Sequence, residues 1–169
     1  MDIKAYNKLI AIILLALASF KMNYAQETNE NRNQRSLEIK NLISSKNYLF
    51  VARTALPMGG RAINLTSPYD LRISGDTVAS DLPYFGRAFV APINPSEGGI
   101  RFTSTDFNYS VRDRKKGGWE IAILPKDLKD VRQMLLTVSE SGYGTLQIIS
   151  NNRQQISYNG FMAEIKGRI

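Results

Sequence analysis

From residue 48 onward the chain alternates apolar and polar residues with a period of two, and turn-forming residues interrupt the alternation at short, regular intervals. Extended backbone sends successive side chains to opposite faces, so each alternating stretch is predicted to be a strand with a buried face. Tyr48, Phe50 and Ala52 alternate with Leu49, Val51 and Arg53. Both faces of that stretch are largely apolar, which predicts a strand covered on both sides. Leu71 and Ile73 lead into Gly75-Asp76 and a returning Thr77-Val78-Ala79-Ser80, a hairpin by its turn chemistry. Ile100 and Phe102 form a further half-buried strand. Tyr109 and Val111 run into Lys115-Lys116-Gly117-Gly118, and Trp119, Ile121 and Ile123 return. Met134 to Val138, Leu146 to Ile148 and Ile156 to Tyr158 then form a meander, with turns at Glu140-Ser141-Gly142 and Asn151-Asn152-Arg153. With no helical pattern between these strands, the fold class is all-β, an antiparallel meander forming a sandwich or a partly closed barrel.

Only one helix precedes the strands. Ile39, Leu42 and Ile43 recur at helical spacing and Ser36 is placed to cap the first turn, which predicts a helix over 34–45. Its narrow apolar stripe suits packing against the sheet, where it supplies one of the two covers of the first strand. Residues 26–33 are polar and offer no core anchor, so they are predicted to be a disordered leader. Residues 1–25 read as a signal peptide: Lys4 and Lys8 precede an apolar run from Leu9 to Phe20, shorter than a bilayer-spanning helix needs, and cleavage is expected after Ala25. A single domain over 34–165 and a short tail over 166–169 complete the organisation. The localisation implied is periplasmic or extracellular, without a stable membrane span once the signal is removed.

The whole chain carries 22 Lys and Arg against 15 Asp and Glu, a net charge of +7. Removing 1–25 takes away three lysines and one aspartate and leaves about +5. The charges are mixed along the sequence, with clusters only at Arg112–Lys116 and Lys126–Arg132, so a solvated surface is expected and nucleic acid is not the expected partner.

The sequence has no cysteine and no histidine. That removes disulfides, Cys/His metal sites, thiol nucleophiles and Ser-His or Cys-His catalysis. Ser-x-x-Lys is absent, as are a phosphate loop and an acidic calcium loop. Asp70, Asp76, Asp81, Asp106, Asp113 and Glu120 are candidates for a carboxylate pair of the glycosidase kind, but no pattern singles out two of them. No catalytic, cofactor-binding or metal-binding residues are assigned, and no cofactor is expected. The glycines of Gly142-Tyr143-Gly144 fit a hairpin turn and a gap in the sheet filled by a neighbouring side chain.

The most unusual local chemistry is Leu82 to Ala88. Pro83 and Gly86 impose a bend, and between them Tyr84 and Phe85 stand beside the cation Arg87. Tyr84, Phe85 and Arg87 are therefore the candidate ligand-binding residues, with a structural corner plugged by the two rings as the competing reading. Trp119, Tyr69 and Tyr158 are expected in the core.

Leu82-Pro83-Tyr84-Phe85-Gly86-Arg87-Ala88, Gly98-Gly99-Ile100-Arg101-Phe102, Gly142-Tyr143-Gly144 and Asn152 to Gly160 together resemble the Bacteroidota domain-of-unknown-function family numbered 4251, over about residues 34 to 162. The resemblance implies export and a cell-envelope setting, and supplies no activity. It also implies that Asp76-Thr77-Val78 matches an O-glycosylation acceptor pattern of such exported proteins, with Thr77 as the attachment site. The function expected is a noncatalytic, exported envelope protein that binds a small apolar or saccharide ligand or another envelope protein. The alternative is a carboxylate-dependent hydrolase acting on glycans.

Overall fold

The computed structural model describes residues 30–89 and 98–165. Helix α1 (30–45) precedes nine strands among the described residues: β1 (Asn47–Pro57), β2 (Ile63–Ser74), β3 (Thr77–Leu82), β4 (Ile100–Ser104), β5 (Phe107–Asp113), β6 (Trp119–Pro125), β7 (Val131–Val138), β8 (Tyr143–Ser150) and β9 (Ile156–Glu164). They form one sheet in the order β4-β3-β2-β1-β9-β8-β7-β6-β5, with every neighbouring pair antiparallel. All neighbours are sequential except β1 and β9, which zip the first strand to the last from Tyr48↔Glu164 to Pro57↔Ile156. Between sandwich and barrel, the sheet takes the nearly closed barrel.

Eight antiparallel steps separate β4 from β5, so these two edge strands run in the same direction, and only Thr105 and Asp106 lie between them. They act as one strand bent in the middle, its first half paired to β3 and its second to β6. Asp127 pins the bend. Its carboxylate accepts the Ser104 hydroxyl at 2.5 Å and the amides of Thr105 and Asp106 at 3.0 and 3.3 Å, and the Lys126 amide donates back to the Asp106 carbonyl at 2.8 Å.

The inner face is the predicted apolar set. Tyr48, Phe50, Leu71, Ile73, Leu82, Ile121, Ile123, Met134, Leu136 and Leu146 are fully buried, and Trp119 and Tyr158 join them. Ile39 and Ile43 of α1 belong to the same cluster, as the helical spacing required. The Tyr48 and Tyr109 hydroxyls meet at 3.0 Å, joining β1 to the edge strand β5, and the Lys46 ammonium stands 5.0 Å from the Tyr109 ring. Burial pushes both phenols above their ordinary value.

Several expectations need correction. Residues 30–33 are already helical, so that part of the predicted leader is ordered and Ser36 lies inside α1 instead of capping it. Glu30 to Arg35 contains no glycine, proline or β-branched residue, and its polarity, which suggested a leader, does not oppose a helix. Residues 1–25, 26–29 and 166–169 lie outside the described residues. On β1 only the inner face is fully buried. Leu49 and Val51 are half-buried and Arg53 is exposed, so the two-sided cover is not formed. Finally, β2 begins eight residues before the Leu71 alternation. Its first half escaped prediction because the register breaks there: Ala52 pairs with Tyr69, whereas Thr54 pairs with Asn64.

Candidate functional site

The segment after β3 is a strap laid over the β8–β9 connection. The Phe89 amide donates to the Asn152 carbonyl at 2.7 Å, the Gln154 amide to the Arg87 carbonyl at 3.0 Å, and Ala88 bridges Arg153. Tyr84 is spent on this strap. Its hydroxyl lies 2.9 Å from the Arg87 carbonyl and 3.0 Å from that of Gln154, and its ring folds over Gly86, where a Cβ would strike the phenol. The Arg153 guanidinium stands 5.3 Å from the Tyr84 ring, pairs with Asp130 at 3.1 Å and donates to the Gly99 carbonyl at 2.8 Å. Beneath, the Tyr158 hydroxyl donates to the Pro83 carbonyl at 2.6 Å. Burial raises the Tyr158 phenol well above its usual range, and burial also raises Tyr84 against the opposing pull of Arg153. Phe85 is 38% exposed, and Arg87 is exposed. Of the three candidate binding residues, one is thus built into the corner and two face solvent.

The predicted acids are dispersed. Asp81 pairs with Arg101 at 2.7 Å, Asp106 with Lys126 at 3.5 Å, and Glu120 with Arg112. Asp76 lies exposed in the β2–β3 turn beside Thr77, which opens β3 and is partly exposed, and Asp113 pairs with Trp119 at the end of β5. Asp70 stands directly opposite Asp81 on the outer face, and burial followed by this like charge raises its carboxyl against the pull of Arg72. Among the described residues no three carboxylates gather as a metal site.

A different surface has the shape of a site. On the outer face of β1, β9, β8 and β7 a groove of about 520 Å³ lies between Arg53 and Arg114. Against β9, Arg53 is the extra residue of a β-bulge, since Ala52 pairs with Gly160 and Thr54 with Asn159; on its other side β2 places residues 65–68 between Asn64 and Tyr69, the partners of Thr54 and Ala52. A bulge re-aims its side chain, and the Arg53 guanidinium lies 5.3 Å from the Phe161 ring. Tyr143, which pairs with Phe161, is 69% exposed. Thr145 donates to the Asn159 amide oxygen at 2.9 Å beside it. Arg114 arrives from the β5–β6 turn, which leans on the β7–β8 turn. Gly118 permits this with a φ of +79° and no Cβ, because a methyl there would strike the Val138 carbonyl. The floor includes the backbone of Gly144 and Gly160, which pair across β8 and β9.

Sequence reasoning missed this groove because its residues come from four strands and a turn. Two signals were present: Arg53 ends an otherwise apolar outer face, and Tyr143 is a large aromatic set between two glycines at a turn.

The family model described as a domain of unknown function, DUF4251, matches residues 30–162. The chain belongs to the DUF4251 family. The crystal structure of a DUF4251 family protein from Bacteroides eggerthii DSM 20697 is similar in fold, with a TM-score of 0.57 and 13% sequence identity over 77% of this chain and 87% of that one. No curated protein matches the chain. The four DUF4251-like strings touch one another: the Leu82–Ala88 strap binds Arg153 and Gln154, Arg153 reaches Gly99, and Gly144 pairs with Gly160. In this DUF4251 protein they close one end of the barrel and floor the outer groove.

Proposed function

We propose that this DUF4251 protein is an exported, noncatalytic envelope protein that binds a small ligand in the groove between Arg53 and Arg114. The observation that carries the reading is Tyr143, a large ring 69% exposed on a rigid strand beside that groove. An aromatic face left in water beside polar side chains is suited to stacking, and the groove's volume falls within the range of small-molecule sites. Support for a noncatalytic role comes from the six candidate acids, of which Asp81, Asp106 and Glu120 are held in ion pairs. Export rests on the charged start and short apolar run of Met1 to Ala25. The hydrolase alternative rests on Asp70 and Asp81, whose opposition lies on an outer sheet face with Asp81 held by Arg101.

A second reading, binding of another envelope protein, is favoured by Phe85 and Phe89, 38% and 63% exposed on the strap with Arg87 between them. Screening small saccharides and apolar fragments against the ¹⁵N-labelled protein tests both. Shifts at the Gly144 and Gly160 amides are expected. Shifts confined to Phe85, Arg87 and Phe89 would move the site to the strap, and turnover abolished by Asp70→Asn would establish the hydrolase.

A further inference from the structure

We infer that the groove recognises an acidic saccharide, a pyranose carrying a carboxylate or sulfate, and this inference rests on the binding reading above. The argument is charge complementarity together with the arrangement of polar edges. Arg53 and Arg114 are the charged residues that line the groove, and no carboxylate lines it. Some cations elsewhere on the surface have carboxylate partners, Arg101 with Asp81, Arg112 with Glu120, Lys126 with Asp106 and Arg153 with Asp130. Neither Arg53 nor Arg114 has a carboxylate partner among the described residues, so the groove holds positive charge that no residue of its lining neutralises. A guanidinium presents a planar fork of donors that matches the oxygens of an anionic group, and stacking on a ring, as Arg53 does on Phe161, fixes its plane in advance.

The remaining lining suits the body of a sugar. Tyr143 offers a flat face to the C–H side of a pyranose. Thr145 and Asn159 stand beside it, already oriented by their mutual hydrogen bond, with donors and acceptors for ring hydroxyls. Gly144 and Gly160 contribute backbone to the lining between these side chains. A purely apolar ligand would leave the two guanidinium groups without a counter-charge, and a neutral sugar would use the platform but not the arginines.

The test titrates the ¹⁵N-labelled full chain with trisaccharides of galacturonate, of glucuronate and of a sulfated galactose, each beside its neutral counterpart, reading the Gly144 and Gly160 amides with Gly75 as a remote control. The expected result is binding of at least one acidic trisaccharide at least tenfold tighter than its neutral counterpart. Arg53→Gln and Arg114→Gln should each erase most of that preference, and Tyr143→Ala should weaken acidic and neutral forms alike. The uronate and sulfate arms identify which anionic group is preferred. Equal affinity for acidic and neutral members overturns the inference and leaves the binding reading standing. No shift with any trisaccharide also overturns it, and the fragment screen above then decides separately whether the groove binds anything. Because all three substituted side chains are surface-facing, an unchanged melting temperature in each variant shows that a lost preference is not lost folding.

Discussion

Replacing Phe50 by alanine probes the packing at the centre of the sheet. Phe50 is fully buried on β1, and its ring atoms lie 2.9 Å and 3.6 Å from where side chains of Gly160 and Gly144 would begin. The ring therefore fills space that two paired glycines leave open. Truncating a buried phenylalanine to alanine costs about 3–5 kcal/mol, the value depending on how far the surroundings collapse into the hole. Here part of the wall is backbone without side chains, which has nothing to move inward, so about 4–5 kcal/mol is expected. A domain of about 130 residues unfolds with an entropy near 270 cal/mol/K, which converts that loss into a Tm lower by about 15–18 °C. Calorimetry of the variant beside Tyr143→Ala checks it, since the exposed tyrosine should move Tm by no more than about 2 °C. A fall of less than about 5 °C for Phe50→Ala would refute the reasoning, because it would mean the glycine gap closes without the ring.

Tyr84→Phe removes the hydroxyl that ties the strap to Gln154 and Arg87, and should cost about 1–2 kcal/mol in urea unfolding, whereas Arg87→Ala should change stability by less than about 0.5 kcal/mol. Asp127 is held below its ordinary value of 3.8, first by the Ser104 hydroxyl and then by the Thr105 amide. Its contribution is therefore complete above that pH and disappears as pH falls through the depressed folded value, so Asp127→Asn should flatten the acid limb of a stability profile. Asp70 has the opposite sign. Its raised carboxyl destabilises the ionised fold, so Asp70→Asn should raise Tm at neutral pH and leave it unchanged below the ordinary value of 3.8. For the ends of the chain, mass spectrometry of protein from the native host should find Gln26 as the first residue and added sugar mass on the peptide containing Thr77; an intact Met1 or an unmodified Thr77 would contradict the respective expectation.

The strands were legible wherever one face of the sheet is buried, because burial imposes the period of two. Trp119, Ile121 and Ile123 on β6 and Met134, Leu136 and Val138 on β7 stand inside as their alternation required. The Gly142 turn, with a φ of +88°, and the Gly144 gap were equally readable from chemistry. The first half of β2 was not, because the bulge opposite Arg53 interrupts the register, and a pattern argument depends on unbroken register. Closure was hidden for another reason. The β1–β9 ladder joins residues 99 to 116 positions apart, and local periodicity carries no information about which strands meet. The groove was hidden for the same reason, since Arg53, Tyr143 and Phe161 become neighbours only through that ladder and the β8–β9 pair.

The ladder between the first and last strands also governs when the molecule can exist as a folded object. β1 lies in the middle of the sheet, yet its second partner is the last of the nine described strands to leave the ribosome. Until residues 156–164 are available, β1 and β8 both present open edges, and the hairpins already made share no closed interior. Pairing across so long a stretch of chain is entropically slow, and the cooperative step cannot precede the emergence of β9. A polypeptide with this topology stays threadable through a narrow channel for as long as β9 is withheld, and its sheet closes only once β1 and β9 have reached the same side.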